Sequence, residues 1–566
     1  MIDGHIMFIG REYKGPNREV MNMCNKNNPS TSWWDVWTTT KQALRKIPIE
    51  WDEKELESTA KILSKDFYQK PRQGWPTMRD VYMTRKTLAG LVMGPLDKNT
   101  GETWACCPCL YEKAMEGCYN QECGYEVRHL WKKTCKVIKE KEKALAYKYV
   151  ATKEVPKKNQ VGSVKDMMHT WHSWYKDKGL GSYGKFNTKG DINTPYILFK
   201  AKNMIDKDVR EKKWKKIRPI APGTKHPMKI VMGKAGRALY FAATNLKFEG
   251  FKIATTQDVA GQMSKIIENV EQNTGGNKCG IKTMDIVGCF PNMPQVAIKH
   301  AIHSLVTRAE KDGKEGVWVP YADSKKCAWE KRKREAGTWI PWVVIEELND
   351  FALDNSFVKM DDDRIIQQVT GIPMGGPMSP GMTIATCAWM EEKWLKSLTP
   401  EVRADFDVMR YMDDLFIAYR ADKSWDHKVF LQDISRSECY WYPLTLEDGR
   451  QGVFLETEFK QETNEAGGTK LIHCLKNDNR EKKNIWRYHD YRSSAPYNRK
   501  RATILAVMKK IHMAASDNIT LYKSATERMN EFRDLGYPIG VRKFICAIMA
   551  TTYSDLTWRR VRRFQT

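Results

Sequence analysis

Nowhere in the 566 residues does an apolar run reach the roughly twenty positions that a membrane-crossing helix needs, so none is expected. The first residues, "MIDGHIMFIGREYKGPNREV", lack the charged start, apolar centre and small-residue cleavage site of a secretory signal. Self-similarity at the spacing of solenoid repeats is absent as well. Without a secretion signal, the 14 cysteines read as free thiols or metal ligands in preference to a disulfide framework. Acidic side chains are in short supply: 69 Asp and Glu stand against 94 Lys and Arg, a net charge of +25. That imbalance points to a polyanionic partner, with nucleic acid ahead of a membrane surface. The expectation is a basic intracellular protein that is neither secreted nor bound to a membrane.

What is present begins with ample core material: 41% of the residues are hydrophobic, 11% are aromatic and 20 are Trp. Residues 30–67 read as helical, with Ser and Thr ahead of them as caps, and 132–160 as a Lys-rich helix running into a polar linker. The Gly- and Lys-rich segment 161–195 reads as a loop. From about 196 the pattern tightens. Residues 212–246 look like a basic hairpin leading into a helix, and 280–293 like a buried strand ending at a Pro-Asn turn. Residues 325–357 suggest a basic helix followed by an apolar one. Residues 370–398 read as a Gly/Pro-rich loop feeding a helix, 452–460 as a strand, and 495 onward as basic amphipathic helices.

Between 106 and 135 the cysteines crowd. Cys106, Cys109, Cys118 and Cys123 have the spacing of a structural zinc site, with Cys107, His129 and Cys135 as alternates. Reduced, packed thiols are the equally weighted alternative.

The sharpest feature is "VMRYMDDLFIAYR" at 408–420, where Asp413 and Asp414 interrupt two apolar runs. Like charges a few Å apart disfavour each other's ionisation, so a cation should accompany them. A tight hairpin turn is the plain structural reading, and it is compatible with a hard divalent ion held by two outward carboxylates. Asp285, at the end of the strand-like "IKTMD", would supply a third. Three carboxylates on neighbouring strand ends can hold two ions, the arrangement that clamps the attacking and leaving oxygens of an in-line phosphoryl displacement. Lys216, Arg218 and Lys229 are cations available to a triphosphate.

In order along the chain stand "IRPIAPGTKHP", "DIVGCFPNMP", "IEELNDFALDNSF" with "QQVTGIPMGGPMSP", "RYMDD", "VFLETEF" and "RDLGYP". This series, over roughly 210–540, resembles the motifs of reverse transcriptases, and most specifically the Penelope-like retroelement branch related to telomerase. The resemblance implies an α+β right-hand polymerase of fingers, palm and thumb behind a mainly helical N-terminal extension. The corresponding divisions are 1–195 for the extension with the cysteine patch, 196–460 for fingers and palm, and 461–566 for a thumb-like basic region.

The resemblance further implies an RNA-directed DNA polymerase that uses two Mg2+ ions, with Mn2+ as a substitute, and a structural Zn2+ as a further candidate. Asp285, Asp413 and Asp414 would be the catalytic metal ligands, joined by the backbone of Ile286. Phe290 would be the steric gate under the sugar. Lys216, Arg218, Gly375, Gly376, Pro377 and Met412 would meet the nucleotide or template. Residues 452–460 would form a primer grip. The implied partners are an RNA template, a DNA primer, their hybrid, dNTPs and a dedicated element RNA, in the nucleus or at sites of element replication. No GIY-YIG endonuclease is evident, and no RNase H cluster follows, so priming would rely on another nuclease or an existing 3′ end. The alternatives are an RNA-dependent RNA polymerase of viral origin and a domesticated, non-catalytic RNA-binding relative.

Overall fold

The computed structural model describes residues 89–96, 99–119, 164–199 and most of 217–565, together with the strand segments 6–9, 125–129 and 147–151. The readings of 30–67 and of most of 132–160, and the candidate residues Lys216, Cys123 and Cys135, lie outside the described residues.

At the centre is a five-stranded sheet. Its strands, in spatial order, are Leu446–Asp448, Cys279–Ile286, Asp414–Arg420, Phe406–Tyr411 and Lys252–Ile253. Alternation along the strands serves two cores. Leu415 and Ile417 face a large cluster built with the helices Lys229–Asn245, Gln295–Lys311, Trp342–Asp354 and Ser379–Ser397. Phe416 and Ala418 face a second cluster with Met263, Ile267, Phe454 and Phe459. The helix Ser379–Ser397 is buried almost all round, which fits its run of small and apolar residues from Met382 to Met390.

Beyond the sheet, Val453–Phe454, Thr457–Thr463 and Thr469–Leu475 form a three-stranded meander. The expected single strand at 452–460 is therefore two strands, folded back at Leu455 with φ of 54°. Among the described residues, four helices follow: Tyr497–Ala514, Asn518–Asp534, Ile539–Tyr553 and Leu556–Arg563. Asp517 caps the second by accepting the Thr520 N–H at 2.8 Å. Met508, Met529, Phe532, Cys546 and Trp558 pack between the four, while Arg559, Arg560, Arg562 and Arg563 stay exposed on the last.

Three further expectations are corrected. Residues Val164–Asp177 form a helix where a loop was expected, because Met167, Trp171 and Tyr175 recur every fourth residue and bury one stripe. The basic helix expected from 325 does not form among the described residues. Gly316–Pro320 and Gly337–Pro341 pair as an antiparallel hairpin, and the helix begins only at Trp342. The strand Cys279–Ile286 runs into a single helical turn, Cys289–Asn292, that contains the Pro-Asn pair. The helix after the basic hairpin and the helix after the Gly/Pro loop form as read. The 406–420 hairpin forms too, but its turn is Met412–Asp413, one residue earlier than an Asp-Asp turn, so Asp414 opens the second strand.

Candidate active site

Asp413 and Asp414 sit where the strands Phe406–Tyr411 and Asp414–Arg420 meet, with Tyr411 paired to Asp414 and only Met412 and Asp413 in the turn. Met412 has φ of 55°, the sign that the first central residue of a tight two-residue hairpin turn adopts. On the other side, Asp414 stands directly opposite Asp285. Residues so paired project from the same face with Cβ atoms about 5 Å apart. A fourth carboxylate continues the row: Glu447, exposed, is the partner of Asp285 in the next strand. Sequence reasoning missed Glu447, since nothing in "LTLEDG" marks it and only the register brings it to Asp285. All three aspartates are half-buried.

The turn is clamped from both sides. The Ile286 N–H donates to the main-chain oxygen of Asp413 at 2.9 Å. Arg410 donates through Nη1 to the Met412 carbonyl at 3.0 Å, and its other nitrogens bond to Glu391. Tyr440 donates to the same Glu391 carboxylate at 2.7 Å. Arg410, Glu391 and Tyr440 are all 0% exposed. Burial works to lower the Arg410 pKa, but the groups around it, Glu391 foremost, together outweigh burial and carry the pKa above its ordinary value, so the guanidinium stays charged. Beside them, the hydrogen-bonded Cys387 thiol and then burial push the Cys289 thiol well above its usual range, keeping it neutral under the aspartates. No sequence pattern announced this brace.

The Gly/Pro-rich loop joins the remaining motifs. Ile372 and Gly371 donate to the carbonyls of Phe290 and Met293 at 2.7 and 3.0 Å. At its other end, Ala221 and Gly223 donate to the carbonyls of Met374 and Gly375 at 2.9 and 3.3 Å. The fit is close at two glycines. A Cβ on Gly371, whose φ is +75°, would lie 2.3 Å from the Pro291 oxygen, and one on Gly236 would lie 2.2 Å from the Pro377 oxygen. Phe290 is half-buried against the main core. Arg218 lies in the strand Ile217–Ile220, opposite Leu198 and half-buried, while Lys229 is exposed at the start of its helix. The structure thus brings together 217–223, 285–293, 371–379 and 410–414, four stretches far apart in the chain.

A cavity of about 50 Å3 lies where this loop meets Ala221, Gly223 and His226. His226 accepts the Met228 N–H at 3.1 Å through Nδ1 and stacks on Trp171 with centroids 5.0 Å apart. Burial lowers its pKa to about 4. Between pH 6.5 and about 4 the unfolded chain binds a proton here that the folded chain refuses. Stability is therefore expected to fall as pH drops through that window, by about 3 kcal/mol in all. His226→Asn keeps an acceptor near the Met228 N–H and removes the titration; urea unfolding at pH 7 and pH 4.5 should show a smaller difference for the variant.

The cysteines divide. Cys106 and Cys118 are buried in an apolar cluster with Trp104, Met115 and Phe199, and burial drives the Cys106 thiol up to about 12. Cys107 and Cys109, at the start of the helix Pro108–Cys118, have their sulfurs 2.9 Å apart. Among the described residues, no three His, Cys, Asp or Glu side chains converge as a ready metal cage. The aspartates stand side by side without converging, and the four-cysteine zinc set is not assembled by its described members.

No family model matches the chain, and no curated protein does. Among solved structures it is similar to the telomerase of Candida albicans bound to a three-way-junction fragment of telomeric RNA, with 11% identity and a TM-score of 0.42 over 70% of this chain. It is also similar to apo telomerase of Candida tropicalis, with 12% identity, a TM-score of 0.36 and 69% of this chain covered. A third is the Sicinivirus 3Dpol RNA-dependent RNA polymerase, with 11% identity and a TM-score of 0.37 over 86% of this chain and 78% of that one. The chain spans 65% and 64% of the lengths of the two telomerases. Among the described residues, no helix is long and apolar enough to cross a membrane.

Proposed function

We propose that this chain is a template-directed nucleic-acid polymerase, and specifically an RNA-directed DNA polymerase that extends a primer on an RNA template. The observation that carries the reading is the register of Asp285 against Asp414, with Asp413 one residue away in a clamped turn. The ordered motifs favour the Penelope-like branch of retroelement enzymes. The sheet and its packed helices then serve as palm, and the C-terminal helices as a thumb whose exposed arginines meet phosphates in a salt-sensitive, sequence-independent way.

Carboxylate oxygens on adjacent strands suit hard divalent cations, so Asp285, Asp413, Asp414 and the Ile286 backbone would hold Mg2+ or Mn2+. Held by those residues, two such ions would supply polarisation of the attacking 3′-hydroxyl and offset the charge of the leaving pyrophosphate. Arg218, and Lys216 beside it in sequence, hold the triphosphate, and the Gly375–Pro377 loop meets the template base and nucleotide. Phe290 occupies the space a ribose 2′-hydroxyl would need.

The test is primer extension on poly(rA)–oligo(dT) with Mg2+, comparing dTTP with UTP. Extension with dTTP alone is expected; extension with UTP would move the chain to the RNA polymerases, and none with either would overturn the reading. Replacing Phe290 with Val should raise the ratio of UTP to dTTP use by tenfold or more, about the 1–3 kcal/mol that one steric group in a pocket is worth. An unchanged ratio would remove the gate.

A further inference from the structure

The end of the hairpin between Pro320 and Gly337 has no part in the chemistry above, yet it is firmly fastened. Ala328 bridges to Trp318 with hydrogen bonds of 2.8 and 3.0 Å. Arg237, from the helix Lys229–Asn245, donates to the Pro320 carbonyl at 2.7 Å and to those of Ala322 and Lys325 at 3.3 and 3.1 Å. The Trp329 ring packs near Phe241 and Trp342, with centroids 4.8 and 6.3 Å away. Lys331 lies over the Trp339 ring at 5.4 Å. A loop that only connects two strands needs none of this. Outward, the described residues of the fastened segment present Lys325, Lys326, Lys331 and Arg332, all exposed, against one exposed carboxylate among them, Glu330. Its anchor also fixes its location. Arg237 follows Gly236, the residue pressed against the Pro377 carbonyl, so hairpin and loop rest on adjacent residues of one helix.

We propose that this hairpin is a docking surface for the phosphate backbone of the unpaired RNA template strand beyond the base being copied. The inference rests on reading the Gly375–Pro377 loop as the place where the template base is met. Four cations held on a braced hairpin lose little backbone freedom on binding, and phosphates displace counterions from the strand they belong to. The contact is therefore independent of sequence and steep in salt.

The test uses the full chain and fluorescence anisotropy over a salt series, with RNA–DNA hybrids that are blunt or carry a 5′ RNA overhang of about ten nucleotides, a length typical of single-strand sites. The overhang should tighten binding to the unaltered chain. In the variant K325Q/K326Q/K331Q/R332Q that increment should vanish, and the slope of log K against log salt for the overhang hybrid should flatten by about 2 to 3, near 0.7 per phosphate. Blunt-hybrid binding and thermal unfolding should not change. An overhang increment that persists in the variant, or an equal loss with the blunt hybrid, would overturn the assignment. Neither arm requires turnover. If the unaltered chain extends no primer yet loses its overhang increment with these four charges, the polymerase reading falls and the surface remains.

Discussion

An Asp413→Asn variant loses primer extension by more than about 10³-fold while still binding an RNA–DNA hybrid. Removing one fixed electrostatic group from an active site typically costs 10²–10³ in rate, and a charge shared between metal ions should cost more. The substitution is nearly isosteric. The bonds that shape the turn use the main-chain oxygens of Asp413 and Met412, which asparagine leaves in place. Hybrid affinity belongs to the basic surfaces and should stay within a few-fold. Single-turnover extension with pre-bound hybrid separates the two quantities. Retention of a tenth of the rate would remove Asp413 from the chemistry.

The second large effect concerns a residue that touches no substrate. Arg410→Met leaves Glu391 buried without its cation, which costs about 3–5 kcal/mol when one partner of such a pair is deleted. The variant should therefore unfold at markedly lower urea. A triple variant, Arg410→Met with Glu391→Leu and Tyr440→Phe, removes the whole polar set and should regain most of that stability, because apolar replacement of a complete buried pair is often neutral. Extension should not return with it. The Met412 carbonyl no longer receives the Arg410 N–H, and the turn that carries Asp413 loses one of its two clamps. A triple variant that is both stable and fully active would show that Arg410 serves folding alone.

The hairpin carrying the paired aspartates was legible because apolar runs flank two turn-compatible residues, but its register was not, since the turn falls on Met412 and Asp413 and leaves Asp414 in the strand. The helices at 229 and 379 were legible from their apolar spacing. Asp285 was recognisable as a strand-end carboxylate, but its position opposite Asp414 depends on a pairing across some 130 residues that local pattern does not encode. Glu447 was invisible for the same reason. The Arg410–Glu391–Tyr440 brace could not be read either, since each member alone resembles a surface residue and only burial joins them. Two misses had local causes. Glycine and lysine content at 161–195 drew attention from Met167, Trp171 and Tyr175, whose spacing was helical throughout. At 325–336 the charges resembled a solvated helix, and the contacts from Arg237 that hold the hairpin come from another part of the chain.

The contacts at Gly371 and Gly236 bear on how such a site can move. With carbonyl oxygens 2.3 and 2.2 Å from where a methyl would stand, the Phe290 turn and the helix Lys229–Asn245 both press closely on the loop between them. The Phe290 turn, the loop and the helix form one shoulder. Any opening and closing during a catalytic cycle must carry all three as a block, with the flexing displaced to the joints where that block meets the rest of the molecule. Under the proposed polymerase activity, substitutions at those joints would alter the tempo of synthesis without altering which sugar is accepted.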